Sequence, residues 1–226
     1  MNWLIVNKHV VYCIAPDEGV DSVAYDASYT TQRENPMLNV HQWIEAIWLV
    51  IGIVWLLGAL RLKPGATVIY SSTRALEIGV LVCAGMLLFS QSLRSPILNA
   101  PFLVPGAVTD TLGVALTVAG AAIAIVARLY LAGNWSAMAA VRQGHEIVRS
   151  GPYAWVRHPI YSGGLLAAVG TAIAFGQMRD LVAIPLVSFA FWLKSRSEEQ
   201  LLLQELGADY AAYRRQVPSA IVPLLW

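Results

Sequence analysis

Two clusters of side chains in the C-terminal half have residue types and spacing suited to chemistry. The first, Gly151 to Gly163, reads GPYAWVRHPIYSG and sets Arg157 and His158 directly ahead of a proline. Pro159 keeps His158 out of the α region and suits the first position of a new helix, so His158 falls at or beside the N-cap. The helix expected from there to about Gln177 would aim its free N–H groups and positive dipole end at whatever lies beside Arg157 and His158, an anion-binding arrangement. Gly163 and Gly164 in its first turn leave room for a ligand or a neighbouring helix. The second cluster is Glu198-Glu199. Glu199 shares an i, i+3, i+4, i+7 stripe with Leu202, Leu203 and Leu206, while Glu198 points about 100° away. An acid on a leucine stripe needs a partner, either a cationic ligand or a nearby Arg. The plainer alternative is that both carboxylates are solvated or ion-paired, as Glu198 would be with Lys194 at i−4.

The elements that position these clusters are apolar. Of 226 residues, 57% are hydrophobic and 13% charged, and the mean hydropathy is +0.58. That composition marks an integral membrane protein, and a net charge of +1 gives no surface for nucleic acid. Cys13 and Cys83 lie in different environments, and neither their number nor their spacing fits a disulfide or a metal site.

Residues 1–40 carry a short apolar run interrupted by Lys8 and His9 and then a polar stretch. They are expected to be an extracytoplasmic or interfacial segment rather than a separate functional element. Five apolar segments follow: His41 to Leu60, Arg74 to Ser92 with Glu77 near its boundary, Thr111 to Leu131, Ile160 to Gln177, and the shorter Leu181 to Leu193. On the third, Gly113, Thr117 and Ala121 fall four apart, as do Gly120 and Ala124, a pattern for close helix packing. Met178 to Asp180 is expected to be the tight connection of a helical hairpin. The thirteen residues after it rise only about 20 Å, too little to cross a ~30 Å core alone. That helix is expected to continue as a polar helix to Leu206, with Gly207 as its stop.

Eleven of the fifteen Lys and Arg residues fall on one side of the connections, among them Arg128, Arg142, Arg157, Lys194, Arg214 and Arg215. By the positive-inside rule that side is cytoplasmic and holds both clusters. The resulting expectation is an all-α integral membrane protein with about five transmembrane helices and a cytoplasmic C-terminal pocket. Residues 41–131 would form helices 1 to 3 and residues 132–226 the catalytic region.

Further signals accumulate around the two clusters: Gly133-Asn134-Trp135-Ser136, Gly144-His145-Glu146-Ile147-Val148, Leu206-Gly207-Ala208-Asp209-Tyr210 with Tyr213, then Val217-Pro218 and Ile221-Val222-Pro223. In this order and spacing, across roughly Arg128 to Pro223, the chain resembles the isoprenylcysteine carboxyl methyltransferase family. It departs from the family pattern at Lys194-Ser195, where Arg-Ile is usual. The resemblance implies a multi-helix membrane enzyme that uses S-adenosylmethionine without a Rossmann domain. It implies that His158 and Tyr161 touch the cofactor, that the backbone from Val148 through Gly151 and Pro152 to Tyr153 lines the pocket, and that Glu199 completes it. Pro159 and Glu198 join this cofactor-binding set, and His145 stands between a site role and a surface role.

Chemistry is compatible with that set. Arg157, His158 or the helix start can meet the carboxylate of S-adenosylmethionine, Glu199 its ammonium, and Tyr153, Trp155 or Tyr161 its sulfonium or adenine, a cation over a ring gaining roughly 0.5–2 kcal/mol. Arg157, Arg214 or Arg215 would orient a carboxylate acceptor, so the catalytic candidates are Arg157, Glu199 and Arg214. Tyr210 and Tyr213 are expected to pack the tail. The expected partners are the lipid bilayer and a hydrophobic or lipidic methyl acceptor, with no nucleic acid and no metal, in what would be a bacterial inner membrane. The alternatives are a phospholipid N-methyltransferase, an NADPH-dependent reductase with a related C-terminal region, or a cofactor-binding scaffold or sensor.

Overall fold

The computed structural model describes residues 5–6, 9–10, 39–60, 73–90, 95–131 and 147–222. The chain divides into two units, Met1–Met37 and Leu38–Trp226. In the first, strands β1 (Ile5–Val6) and β2 (His9–Val10) pair antiparallel, with Ile5 opposite Val10 and Val6 opposite His9.

The second unit is helical: α1 (Val40–Leu60), α2 (Arg74–Phe89), α3 (Ala107–Leu131), a 3-10 turn (Gly151–Ala154), α4 (Pro159–Phe175) and α5 (Met178–Gln216). Two helices are long and apolar enough to cross a membrane, over Val40–Ala59 and Ala107–Leu131. With 16 and 17 residues, α2 and α4 rise only about 24 to 26 Å, short of the ~30 Å hydrocarbon core. Among the described residues there are thus five α-helices, of which two are both long and apolar enough for a full span. Large apolar side chains face outward on α1, α2 and α3, including Leu49, Leu56, Met86 and Leu129, each more than 60% exposed, as suits a bundle solvated by lipid.

The tightest seam joins α3 to α4. Gly113, Thr117, Gly120 and Ala124 on one helix meet Gly163, Ala167, Gly170 and Ala174 on the other, both series spaced i, i+4, i+7, i+11. A Cβ at Gly120 would lie 2.3 Å from the Ala167 nitrogen, and one at Gly163 2.5 Å from the Ala124 nitrogen, so each glycine is required by a facing backbone. The four-residue pattern expected to pack does so, and Gly163 admits a helix rather than a ligand. Helix α1 closes over this seam, where Trp48 Nε1 donates to Thr171 Oγ1 at 3.0 Å and His41 stacks on Phe175.

The α4–α5 connection is tighter than the sequence suggested. Gly176, at φ 66°, and Gln177 alone make it, and Met178 to Asp180 already belong to α5, whose first turn closes on a capping box between Gln177 and Asp180. The segment from Leu98 to Phe102 clamps this turn through Met178 N to Ala100 O and Arg179 N to Leu98 O, both 2.9 Å. Helix α5 begins early enough to lengthen its apolar part and passes the polar turn of Glu198 and Glu199. It breaks at Gly207, with φ 50° and ψ −118°, and resumes to Gln216.

Candidate functional site

The RHP loop, the start of α4, the polar turn of α5, the first turn of α2 and the tail after α5 meet at one end of the bundle. His158 is the N-cap of α4 and Pro159 its first residue, the local geometry the dipeptide dictates. The loop before it turns at Gly151, where φ is 61° and an added Cβ would strike the Tyr130 ring, and then forms the 3-10 turn carrying Pro152 and buried Tyr153.

Glu199 is the centre of the charge network and is 6% exposed. Its Oε1 accepts from Arg157 Nε at 2.7 Å and faces His158 Nε2 at 3.3 Å, and its Oε2 lies 3.4 Å from Arg214 Nε. Glu198 faces the other His158 nitrogen, Nδ1, at 3.6 Å, takes a 2.6 Å bond from the Tyr161 hydroxyl, and pairs with Lys194 at 3.4 Å. The i−4 pairing of Lys194 with Glu198 is thus present, and the Arg partner required by Glu199 is Arg157. The His158 ring stacks on Tyr161 at 5.4 Å, and Tyr161 stacks on Phe191 at 5.1 Å.

The electrostatics follow. Burial disfavours the charged form of His158, but hydrogen bonds and charge from Glu198 and Glu199 outweigh it and raise the imidazole above its ordinary 6.5. Burial likewise opposes ionisation of Glu199, yet the bonds from His158 and Arg157 bring its carboxyl down to about 2. Glu198 is lowered in the same way, against burial, by His158 and then Lys194. An imidazolium held between two carboxylates is the resting state this geometry favours.

Arg157 is deployed differently from the sequence expectation. Besides Glu199, its Nη1 donates to Val217 O at 2.7 Å and to Pro218 O, so a 9%-exposed guanidinium ties the tail to the loop. The tail continues along the loop: Arg157 N donates to Ser219 O at 3.0 Å, His158 N to Ala220 O at 2.8 Å, and the Ser162 hydroxyl to Ile221 O. The N–H groups of Tyr161 and Ser162 turn back to His158 O. Of the helix-start donors expected to face an anion, the N–H groups of Tyr161 and Ser162 are thus bonded within the protein, and no anion site is formed by them. Arg214 keeps only the 3.4 Å contact to Glu199 and a 41%-exposed side chain, and Arg215 is exposed.

Tyr210 and Tyr213 are buried with Val217, and the Tyr213 hydroxyl donates to Tyr153 O at 2.8 Å, which packs the tail as expected. Trp155 is 78% exposed and Val148 half-buried. His145, with the Gly133 to Ser136 and Gly144 to Glu146 motifs, lies outside the described residues. Sequence reasoning missed the tail carbonyls, which have no side-chain signature. It also missed that Glu77, read only as a boundary residue, reaches this end of the bundle: it accepts from Thr73 Oγ1 at 2.7 Å and Ser197 Oγ at 3.2 Å. An acid in a helix whose residues after it are all apolar was the available signal.

Residues 113–204 match the family model described as the isoprenylcysteine carboxyl methyltransferase (ICMT) family, starting ahead of Arg128 and ending before the tail. The protein-S-isoprenylcysteine O-methyltransferase of Schizosaccharomyces pombe is 38% identical over 36% of this chain and 34% of its own length. The enzyme of that name from Homo sapiens is 32% identical over 34% of this chain and 28% of its own. The chain thus aligns with about a third of the length of these curated relatives, and they are eukaryotic, which lends no support to a bacterial inner membrane. Among solved structures, the eukaryotic intramembrane Ras methyltransferase ICMT aligns over 70% of this chain and 55% of its own at 24% identity, with a TM-score of 0.47. Over residues 113–204, under half of its length, the chain is similar to the isoprenylcysteine carboxyl methyltransferase family.

Proposed function

We propose that this protein is a membrane methyltransferase that uses S-adenosylmethionine to methylate the carboxylate of a prenylated cysteine, at the end of the bundle that faces the cytoplasm. The family match supports the reaction class, and the names of the relatives support the acceptor. The observation that carries the reading is the Glu198–His158–Glu199 cluster, its His158 and Glu199 buried, between the Tyr161 ring and Arg214.

The residues present fit the donor. Its ammonium needs a carboxylate, and among the described residues Glu199 Oε2 is contacted by the partly exposed Arg214 at 3.4 Å, whereas Oε1 is held by Arg157 and His158. Its sulfonium and adenine need aromatic surface, which Tyr161 and Tyr153 supply, with the backbone of Val148 to Tyr153 and Pro159 beside them. Pro152 and Gly151 shape that backbone. When bound, the donor provides a methyl carbon on a sulfonium, which an anionic oxygen attacks without general-base help.

The protein's own work is then positioning and charge matching. Three carboxylates, Glu77, Glu198 and Glu199, are set against four basic side chains, Arg157, His158, Lys194 and Arg214, a balance that favours an anionic acceptor over an amine. Arg157 is committed to Glu199 and the tail carbonyls, so Arg214 is the Arg suited to orient the acceptor carboxylate. Calorimetric titration of the purified protein in detergent with S-adenosylhomocysteine tests the donor assignment. Saturable binding lost in Glu199→Gln is expected, and no binding to wild type would overturn it.

A further inference from the structure

We infer that Glu77, on a helix outside the 113–204 family match, is a positioning residue that holds the Glu198-bearing turn of α5 in its site geometry through Ser197. The inference rests on the donor assignment above. Glu77 is 5% exposed, in the first turn of a helix that beyond Arg74 and Glu77 itself carries no other charged residue. An acid there complements the helix dipole, but the dipole alone calls for neither burial nor a bond to another helix. Glu77 has both: Thr73 of its own chain turn donates to Oε1 at 2.7 Å, and Ser197 of α5 donates to the same oxygen at 3.2 Å.

Ser197 immediately precedes Glu198 and Glu199, so a bond at Ser197 fixes the rotation of the turn that presents both carboxylates. Its hydroxyl has one proton and three acceptors within reach, Glu77 and the carbonyls of Leu193 and Lys194 at 3.2 and 3.0 Å. With Glu77 absent, that proton returns to its own helix and α2 loses its hold on the turn. Glu77 also lies close enough to act electrostatically on Tyr161, the residue whose hydroxyl donates to Glu198. Glu77 thus biases the same pair of side chains from both directions without touching a ligand.

The test compares S-adenosylhomocysteine affinity by calorimetry for full-length wild type, Glu77→Gln, Ser197→Ala and the double variant, alongside thermal melting. Each single change is expected to weaken binding about five- to twentyfold, with the double variant no weaker than Glu77→Gln, because both act through one bond. A residue that only tethers α2 would lower the melting temperature and leave the dissociation constant within twofold, and that result overturns the inference. Should Glu77→Gln fail to fold, Ser197→Ala and Glu77→Asp carry the same comparison, an unchanged affinity in both being the contrary outcome. Absent binding in wild type would instead reject the donor assignment.

Discussion

The Nε of Arg157 lies 2.7 Å from Oε1 of Glu199, joining a loop residue to a helix residue 42 positions away inside the protein. The same guanidinium holds the carbonyls of Val217 and Pro218, so one side chain fastens three segments. Breaking a buried pair by removing one partner typically costs about 3–5 kcal/mol, because it leaves the other charge uncompensated. Arg157→Ala is therefore expected to lower thermal stability strongly and to speed hydrogen exchange in residues 217–222. A Glu199→Ala and Arg157→Ala double cycle should give a coupling above ~1 kcal/mol. Additive effects would show that the pair is incidental.

His158→Ala should leave the bundle folded, since the α3–α4 seam does not involve it, yet reduce S-adenosylhomocysteine affinity by about tenfold or more through loss of the ring between Glu198 and Glu199. Calorimetry with helicity measured in parallel checks both halves. Unchanged affinity would place the donor elsewhere.

The pH response has a definite sign. His158 is raised above 6.5 in the folded protein, so its stabilising contribution is full below that value and disappears as pH climbs through the folded pKa. Glu199 is depressed from 4.5 to about 2, so its contribution is full above 4.5 and fades as pH falls toward 2. Melting temperature in detergent should accordingly be highest between about 4.5 and 6.5, with Glu199→Gln flattening the acid limb and His158→Asn the alkaline limb. Identical profiles in wild type and variants would contradict the network.

Packing gives a fourth expectation. Gly120→Ala and Gly163→Ala drive a Cβ to within 2.5 Å of facing backbone nitrogens, and overpacking of this kind costs about 1–3 kcal/mol or more. Gly164→Ala meets only the edge of the Phe191 ring at 3.1 Å and should be milder. Thermal melts of the three variants rank them, and equal melting temperatures would mean the seam is looser than described.

Much of this was legible in the chain itself, and what was hidden has a physical reason. His158-Pro159 announced a helix start because proline constrains its predecessor, and the Glu199 stripe announced burial because helical periodicity does not depend on partners. Four-residue spacing of small side chains announced the α3–α4 seam. Hydrophobicity measures neither helix length nor tertiary bonding, so the five apolar segments gave the five helices but not which of them are long enough alone for a full span. The Met178 to Asp180 loop proved to be helix once the Gln177–Asp180 capping box was formed. Backbone carbonyls carry no sequence label, and for that reason the tail's capture of Arg157 and of the Arg157 and His158 N–H groups could not be read. The reach of Glu77 to Ser197 depends on how α2 packs on α5, which its own spacing does not encode.

The proposed acceptor role of Arg214 can be tested apart from donor binding. Arg214→Ala should raise KM for a carboxylate acceptor at least tenfold while donor affinity changes only a few fold, and Arg215→Ala should alter neither, being exposed and apart from Glu199. Equal effects of the two substitutions would remove Arg214 from that role.

The most direct measurement is transfer of a labelled methyl group from S-adenosylmethionine, by the purified full-length protein in lipid vesicles, to an S-farnesylcysteine with a free carboxylate and to its carboxamide counterpart. Label should enter the organic phase as a base-labile ester with the carboxylate and not with the carboxamide, and Glu199→Gln should abolish it. Binding of the donor without transfer to the carboxylate, or equal labelling of both compounds, would contradict the assignment of this protein as a prenylcysteine carboxylate methyltransferase.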